Sequence, residues 1–316
     1  MQVQQDILAQ LESLLSVPLL YAPGAEADTA PAMLAAIHEI IAHHHLPISL
    51  AASASSHKLT QKYRQQLSSD YGAPLLIIDD KGELSLLIDG ISVTPSWAKL
   101  QRRIVSAGRK SELLLQAAKL TADKRVLDAT AGFGHDSLIL ASTGAQVTML
   151  EQQPLLALLL LVEQQKMASE SNWQKLIARL TIINSTAETY LASSATQATN
   201  YDTIYLDPMF PDDSYDNSKT GKGAKVGKNM QALHGLVAPP TSEAEIKLFE
   251  LAQTAITTSF EEESVASGEE SSVKNSIEST SRRLIVKRPI SAPHLAGHSP
   301  DESWQNDVVR FDGYFG

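Results

Sequence analysis

The hydrophobic and polar positions of this chain follow one pattern before about residue 95 and a different pattern after it. In the first part, two apolar runs within residues 73–89 flank Asp80-Lys81-Gly82, which predicts a β-hairpin whose glycine supplies the positive φ of a short turn. Helical spacing of apolar residues occurs around 5–15 and 31–45. Residues 1–95 are therefore predicted to form a small N-terminal α+β region.

From about residue 111 onward, strand and helix patterns alternate, as expected of a parallel sheet with crossover helices. The predicted strands are 125–129, 146–151, 180–185, 201–207, 282–289 and 307–316. The predicted helices are 111–120, 135–143, one that begins at Pro154, and 241–256, where Ser242 and Glu245 have capping-box spacing. We predict that residues 96–316 form one α/β domain with a doubly wound, mostly parallel sheet.

The acidic residues are unevenly distributed. Residues 261–281 hold six Glu and one Lys and no aromatic residue, so half of the net charge of −10 lies there. Such a segment buries too little apolar surface to offset the entropy of ordering it, and we predict a disordered acidic insertion. Half of the 26 Lys and Arg lie in three clusters, at residues 99–110, 219–228 and 282–288. This clustering keeps a nucleic-acid partner open despite the acidic total.

Several classes of protein are disfavoured by composition. The chain has no cysteine, which excludes disulfides, thiolate metal sites and cysteine nucleophiles. The longest apolar run, residues 154–162, has nine residues where a membrane span needs about 20. The N-terminus lacks the basic start and apolar core of a signal peptide. His43, His44 and His45 have no partner at metal-ligand spacing. We expect a cytoplasmic protein with no metal and no membrane contact.

The segment VLDATAGFGHD, residues 126–136, has the pattern of a strand, a glycine-containing turn and the start of a helix. Gly132 and Gly134 would let the backbone pass close to a ligand at the carboxyl end of the strand, where open α/β sheets bind ligands. The third glycine of the dinucleotide fingerprint is missing, and Asp128 and Asp136 would repel a pyrophosphate. These acids favour S-adenosylmethionine over NAD as the ligand. The alternative that the turn is purely structural and binds no ligand stays open.

Two further carboxylates end predicted strands. Glu151 follows Gly132 by 19 residues, and there a carboxylate can bind both ribose hydroxyls of an adenosine in either cofactor. Asp207 lies in YLDPMFP, residues 205–211, at the end of the strand expected beside the first. It can accept a hydrogen bond from an exocyclic amine of a base, while Pro208 fixes the loop and Phe210 stacks on the base. A dehydrogenase has no use for this set, so we favour methyl transfer to a base.

Taken together, these motifs resemble a known family. DATAGFGHD, MLEQ, STAE, YLDPMFP, KVGKNMQ and IVKRP are similar to the RsmJ-type guanine-N2 methyltransferases of small-subunit (16S) ribosomal RNA, over roughly 74–260 and 282–316. The resemblance implies a class I methyltransferase fold, that is, a Rossmann-like, doubly wound, mostly parallel seven-stranded sheet. It also implies S-adenosylmethionine as cofactor and methylation of one guanine near the 3′ end of that RNA.

The resemblance assigns residues to the site as well. The cofactor contacts that it implies on this chain are His135, Asp136, Glu151, Gln152, Ser185, Thr186 and Asp207. The glycine turn itself adds Asp128, Gly132 and Gly134 as candidate cofactor residues. Asp207 and the carbonyl of Pro208 are predicted to accept from the guanine amine, and Phe210 to stack on the base. Candidates for phosphate contacts are Lys225, Lys228, Lys287 and Arg288.

Two alternatives to this function stay open. The same motif would serve a methyltransferase acting on another amine, such as adenine N6. A non-catalytic RNA-binding assembly factor could retain the cofactor pocket. The predicted partner is the small-subunit RNA or the assembled small ribosomal subunit.

Overall fold

The computed structural model of the chain describes residues 14–23, 29–108, 110–193, 201–209, 236, 240–266 and 282–316. These residues fall into two compact units. The first contains the described residues up to Ser96, Gln153–Lys166 and Leu236, and the second contains Trp97–Gln152 and the other described residues from Met167 onward.

The first unit is built on a five-stranded sheet with the order β2-β1-β3-β4-β5. Its strands are β1 (Leu15–Tyr21), β2 (Ile48–Ala54), β3 (Leu75–Ile78), β4 (Leu84–Ile88) and β5 (Ile91–Val93). Its connecting helices are α1 (Thr29–His43) and α2 (Gln61–Tyr71). Strand β1 pairs in parallel with β2 and β3, whereas β3, β4 and β5 are antiparallel neighbours.

Two sequence-based predictions concern this unit. The hairpin predicted within residues 73–89 is confirmed by the antiparallel pairing of β3 with β4. The helix expected around 5–15 is wrong at its end, because Leu15 begins β1, in which Val17, Leu19 and Leu20 are buried. Residues 5–13 lie outside the part of the chain that the structure describes.

The second unit is built on a seven-stranded sheet with the order β11-β12-β10-β9-β6-β7-β8. Its strands are β6 (Arg125–Asp128), β7 (Gln146–Glu151), β8 (Leu180–Asn184), β9 (Thr203–Leu206), β10 (Arg283–Pro289), β11 (Glu302–Gln305) and β12 (Val309–Phe315). Among the described residues after 100, the α-helices are α3 (Gln101–Ser106), α4 (Leu113–Ala118), α5 (His135–Ala141), α6 (Pro154–Ala168), α7 (Gln174–Ile177), α8 (Ala187–Ser193) and α9 (Ser242–Ala266), and most of α6 belongs to the first unit. Strands β6 to β10 are parallel, and β11 and β12 are antiparallel additions.

This sheet confirms the predicted doubly wound, mostly parallel architecture, including the adjacency of β9 and β6. Strand β11 was not predicted, because it is an edge strand whose side chains are mostly exposed and show no apolar alternation.

The alternation of side chains along the strands positions the polar residues of the site. Leu127, Ile204 and Leu206 belong to a buried apolar cluster that also includes residues of α8 and α9. Because successive side chains of a strand point to opposite faces, Asp128 and Tyr205 project to the other face. There both of them bond to residues of α5.

Helix α9 continues ten residues beyond its predicted end at residue 256, to Ala266. It therefore includes residues 261–266, which were predicted to belong to the disordered acidic insertion, and that boundary is wrong. Glu is a strong helix former, so Glu261, Glu262 and Glu263 extend a helix that has already begun. Residues 267–281 lie outside the described part of the chain. Among the helices that the structure describes, none is both long and apolar enough to cross a membrane.

Candidate active site

A glycine-containing turn connects β6 to α5 at the carboxyl edge of the seven-stranded sheet. Gly132 and Gly134 have φ of +54° and +72°, a left-handed conformation that glycine adopts without strain. A Cβ atom built on Gly132 would meet no other atom within 4 Å. The backbone of this turn therefore borders open space, as close approach of a ligand requires.

Two buried side chains fix the turn. Asp128 is 1% exposed, and its carboxylate accepts hydrogen bonds from the backbone N–H of Thr130 (3.2 Å) and from the hydroxyl of Ser137. The indole Nε1 of Trp97 donates to the carbonyl of Phe133 at 2.8 Å. Asp128, predicted to contact the cofactor, therefore supports the turn. Trp97 and Ser137 were not predicted.

Glu151 ends β7, beside β6, and bonds to the same turn. Its Oε2 atom accepts a hydrogen bond of 3.1 Å from the backbone N–H of Gly132, and the residue is 6% exposed. The side-chain amide of Asn184, at the end of β8, donates to the backbone carbonyl of Glu151 at 2.8 Å. The predicted ribose acceptor is thus held at the edge of the sheet in contact with the glycine turn.

Two other predicted cofactor residues follow β8. The backbone N–H of Ser185 donates to the carbonyl of Glu151 at 3.2 Å, so this residue lies next to the end of β7. The hydroxyl of Thr186 accepts from the backbone N–H of Thr189 at 3.0 Å and thereby caps the start of α8. Thr186 thus has a structural role in addition to any ligand contact.

The last two predicted cofactor residues beside the strand ends, His135 and Gln152, are exposed. The ring of His135 stacks against that of Phe133, with 6.0 Å between centroids. Their exposure leaves both side chains accessible to a ligand at the carboxyl edge, and their cofactor contacts stay a prediction.

The structure brings the predicted base acceptor, Asp207, against this turn. Its backbone N–H donates to the hydroxyl of Thr130 at 2.6 Å, and its Oδ2 accepts from the ammonium of Lys287 at 2.8 Å. Lys287 also donates to Oδ2 of Asp136 at 2.8 Å, and the hydroxyl of Tyr205 donates to the same oxygen at 2.7 Å. Two acids predicted for different roles are therefore joined by one cation.

The electrostatics of this cluster follow from burial and from the shared lysine. Burial raises the pKa of the Asp207 carboxyl, and repulsion from Asp136 adds to it, against the attraction of Lys287. Burial alone would raise the pKa of Asp136. The charges of Lys287 and Arg103 and the hydrogen bonds from Lys287 and Tyr205 outweigh this effect, so the pKa of that carboxyl is lowered. Burial opposes the charge on Lys287, yet the two carboxylates raise its pKa above the ordinary value.

Arg103 connects α3 to the same cluster. Its guanidinium forms two hydrogen bonds to Glu112, at 2.8 and 2.9 Å, and lies 3.9 Å from Oδ1 of Asp136. The hydrogen-bond acceptors beside the glycine turn are therefore mostly carboxylates, of Asp136, Glu151 and Asp207. Within the described residues no group of three or more His, Cys, Asp or Glu could hold a metal ion. The arrangement fits a ligand that combines an adenosine with a positive charge.

Comparison with known proteins agrees with this fit. A family model described as SAM-dependent methyltransferases matches residues 58–259. Ribosomal RNA small subunit methyltransferase J of Psychrobacter cryohalolentis is 55% identical over 95% of this chain and 96% of its own length. The protein of the same name from Acinetobacter baylyi is 32% identical over 85% of this chain and 97% of its own length. The chain belongs to this family of SAM-dependent methyltransferases. S-adenosylmethionine is accordingly its cofactor.

A solved structure shows the same fold. A SAM-dependent methyltransferase from Neisseria gonorrhoeae is 24% identical, covers 95% of this chain and 96% of its own, and has a TM-score of 0.61. In this chain, Gly132 and Glu151 are joined by a hydrogen bond at the carboxyl edge of the corresponding sheet. The contacts of Gly132, Asp136 and Glu151 with the cofactor stay a prediction.

The structure changes the interpretation of two predicted phosphate contacts. Arg288 is 2% exposed and donates to Glu245 at 3.0 Å and to the carbonyl of Pro293 at 3.1 Å, so the prediction of a phosphate contact there is wrong. Lys287 directs its ammonium at Asp136 and Asp207 rather than to the surface. Burial of a strand-end arginine against a helix acid could not be recognised from the basic cluster alone.

Three other predicted site residues, Phe210, Lys225 and Lys228, lie outside the described part of the chain. Pro208, which directly follows Asp207, is buried.

Proposed function

We propose that this chain transfers a methyl group from S-adenosylmethionine to the exocyclic N2 of a guanine in small-subunit ribosomal RNA. The relatives' names support ribosomal RNA as the substrate, and the restriction to guanine N2 rests on the resemblance of the motifs. The small ribosomal subunit would be the partner and the cytoplasm the place of reaction.

The observation that carries the proposal is the hydrogen bond between the backbone of Asp207 and the hydroxyl of Thr130. Thr130 belongs to the same β6–α5 connection as Gly132. The acceptor for the target amine and the turn beside the cofactor are thus parts of one braced unit. Such fixed alignment of a nucleophile with its reaction partner can contribute up to about 7–11 kcal/mol to lowering the barrier.

The cofactor supplies a methyl group already activated on a sulfonium, so the protein's task is to orient the amine. The N2 lone pair of guanine is delocalised into the ring, and acceptors bonded to its N–H groups would help localise it. We assign this role to Asp207 with the carbonyl of Pro208. Held in this way, the nitrogen could take the methyl group from the sulfonium, whose electron pair would remain on sulfur, and the proton released from the nitrogen would pass to water.

A paired base cannot reach such a site and must be extruded, at a cost of a few kcal/mol. Phe210 is proposed as the surface on which the extruded base stacks. Lys225 and Lys228 are proposed to contact neighbouring phosphates.

The test is methyl transfer from labelled cofactor to small ribosomal subunits isolated from a strain that lacks this enzyme, followed by mass spectrometry of the digested RNA. N2-methylguanosine supports the proposal. N6-methyladenosine would instead show an adenine methyltransferase, and cofactor binding without any product would show a non-catalytic assembly factor.

Asp207→Asn gives the matching test of the site. It should lose at least about tenfold in turnover at saturating cofactor, because a neutral amide is a weaker acceptor than a carboxylate. Asp202→Asn is the control, since Asp202 lies before the opposite end of the same strand and pairs with Lys124 at 2.8 Å. Wild-type turnover of Asp207→Asn would refute the role of Asp207.

A further inference from the structure

Lys287 is placed by the sheet beside the proposed amine acceptor. Strand β10 pairs in parallel with β9, and Val286 lies opposite Leu206, so the next residue of each strand, Lys287 and Asp207, are neighbours at the carboxyl edge. The ammonium is 2.8 Å from Oδ2 of Asp207 and 2.8 Å from Oδ2 of Asp136. The lysine therefore connects β9, β10 and the first turn of α5.

The two carboxylates use their oxygens differently. Oδ2 of Asp136 receives both Lys287 and Tyr205, and its Oδ1 lies 3.9 Å from Arg103. Oδ2 of Asp207 accepts a hydrogen bond from Lys287, and the backbone N–H of Asp207 donates to the hydroxyl of Thr130. Within the described residues no donor bonds to Oδ1 of Asp207. One oxygen of the acceptor is therefore anchored, and the other remains for a substrate amine.

The charge of Asp207 depends on the same contact. Among the described residues, the groups that interact with it include the acids Asp136 and Asp128, the phenol of Tyr205, and the cations of Lys287 and Arg288. Burial and the acids favour the protonated carboxyl, whereas the lysine and the arginine favour the carboxylate. The ionised form accepts well at both oxygens, whereas protonation makes one oxygen a donor and a weaker acceptor.

We propose that Lys287 is a positioning residue for methyl transfer, which fixes the negative charge of Asp207 and directs its Oδ1 toward the amine of the target base. This inference rests on the role of Asp207 in the proposed function. It replaces the phosphate contact that the basic cluster at residues 282–288 had predicted for this lysine.

The test compares the pH dependence of single-turnover methyl transfer in wild type, Lys287→Met and Lys287→Arg. In Lys287→Met, the acid limb of the profile should move up by about one to three pH units, since an opposite charge at this distance shifts a carboxyl by that much. The rate at pH 7 should fall about tenfold or more and recover at alkaline pH. Lys287→Arg keeps the charge and should leave the limb near its wild-type position.

The matched control is Lys124→Met. Lys124 forms an ion pair of the same length, 2.8 Å, with Asp202 near the amino ends of β6 and β9. This variant should keep the wild-type pH profile. If Lys287→Met does not fold, Lys287→Gln removes the charge while retaining a donor, and it should show the same displacement of the acid limb.

Three results would overturn the inference. A rate lowered equally at every pH would assign Lys287 a merely structural role. An unchanged acid limb would show that it does not govern the charge of Asp207. If the negative slope of log RNA affinity against log salt concentration became shallower by about one in Lys287→Met, Lys287 would be a phosphate contact instead. Asp207→Asn in the same assay separates the two claims: if it is fully active, the role assigned to Asp207 in the proposed function fails first.

Discussion

The indole N–H of Trp97 donates a 2.8 Å hydrogen bond to the carbonyl of Phe133, in the glycine turn between Gly132 and Gly134. Trp97 is fully buried and lies 36 residues before its partner in the chain. A side chain from the start of the second compact unit thus fixes the backbone of the turn at which we expect the cofactor to bind.

Trp97→Phe should weaken both the fold and cofactor binding. The variant leaves the part-buried carbonyl of Phe133 without this donor, which costs about 1 kcal/mol or more in the free energy of unfolding. If about 1 kcal/mol of that cost is taken from the free energy of cofactor binding, the affinity for the cofactor falls about fivefold. Urea denaturation and calorimetric titration with S-adenosylmethionine measure the two effects.

Trp173→Phe is the matched control for that change. Trp173 is also buried, at 4% exposed, and it precedes α7, which leads to the amino end of β8. We expect it to alter stability without altering cofactor affinity. Equal affinity losses in the two variants would mean that the hydrogen bond to Phe133 has no special effect on the turn.

Gly132 and Gly72 offer a second matched pair. Both have left-handed φ, +54° and +60°, and a Cβ on either would meet no atom within 4 Å. Alanine at either position should therefore cost about 1–2 kcal/mol of backbone strain. Only Gly132→Ala places a methyl group in the cofactor space, so its affinity for S-adenosylmethionine should fall about tenfold or more, against no change for Gly72→Ala. A similar effect of both substitutions would place the cofactor elsewhere.

The buried carboxyl of Asp128 predicts a pH dependence of stability. Burial raises its pKa from 3.8 to about 7, opposed by hydrogen bonds from Ser137 and Thr130 and reinforced by Asp136 and Asp207. A carboxyl whose folded-state pKa is raised favours the fold below its unfolded value, and this contribution is lost as pH rises through the folded value. Between about pH 4 and 7 the loss is up to about 4 kcal/mol.

Asp128→Asn should flatten that dependence. The amide oxygen can still accept from Ser137 or Thr130, but it does not ionise, so the variant should gain stability relative to wild type as pH rises from about 4 to 7 and keep that gain at higher pH. Urea denaturation of the cofactor-free protein from pH 4 to 8 measures the slope. An unchanged slope in the variant would show that another group titrates.

The sequence was sufficient for those features that depend on local pattern. The glycine turn, Glu151 at the end of β7 and Asp207 at the end of β9 each follow a run of strand residues, and their shared edge follows from parallel order. The antiparallel hairpin of β3 and β4 was likewise visible in its turn residues.

The features that were missed depend on contacts between residues far apart in the chain. Trp97 has no motif of its own, and only packing brings it to Phe133. Lys287 is basic and close in sequence to other basic residues, yet the pairing of β10 with β9 directs it at Asp207. A charge cluster in sequence does not reveal which of its members are paired in the fold.

Arg288 provides the last prediction, because its buried ion pair with Glu245 contradicts the phosphate contact expected from its neighbours. The two side chains are 3% and 11% exposed, and the pair joins β10 to the first turn of α9. Removing one partner of such a pair leaves an uncompensated buried charge, so Arg288→Met should lower the free energy of unfolding by about 3–5 kcal/mol. Arg288→Met with Glu245→Met should lose less than the sum of the single changes, since neither charge is then left alone. In the single and the double variant, the slope of log RNA affinity against log salt concentration should stay at its wild-type value. A stable Arg288→Met protein whose slope falls by about one would return Arg288 to the RNA interface.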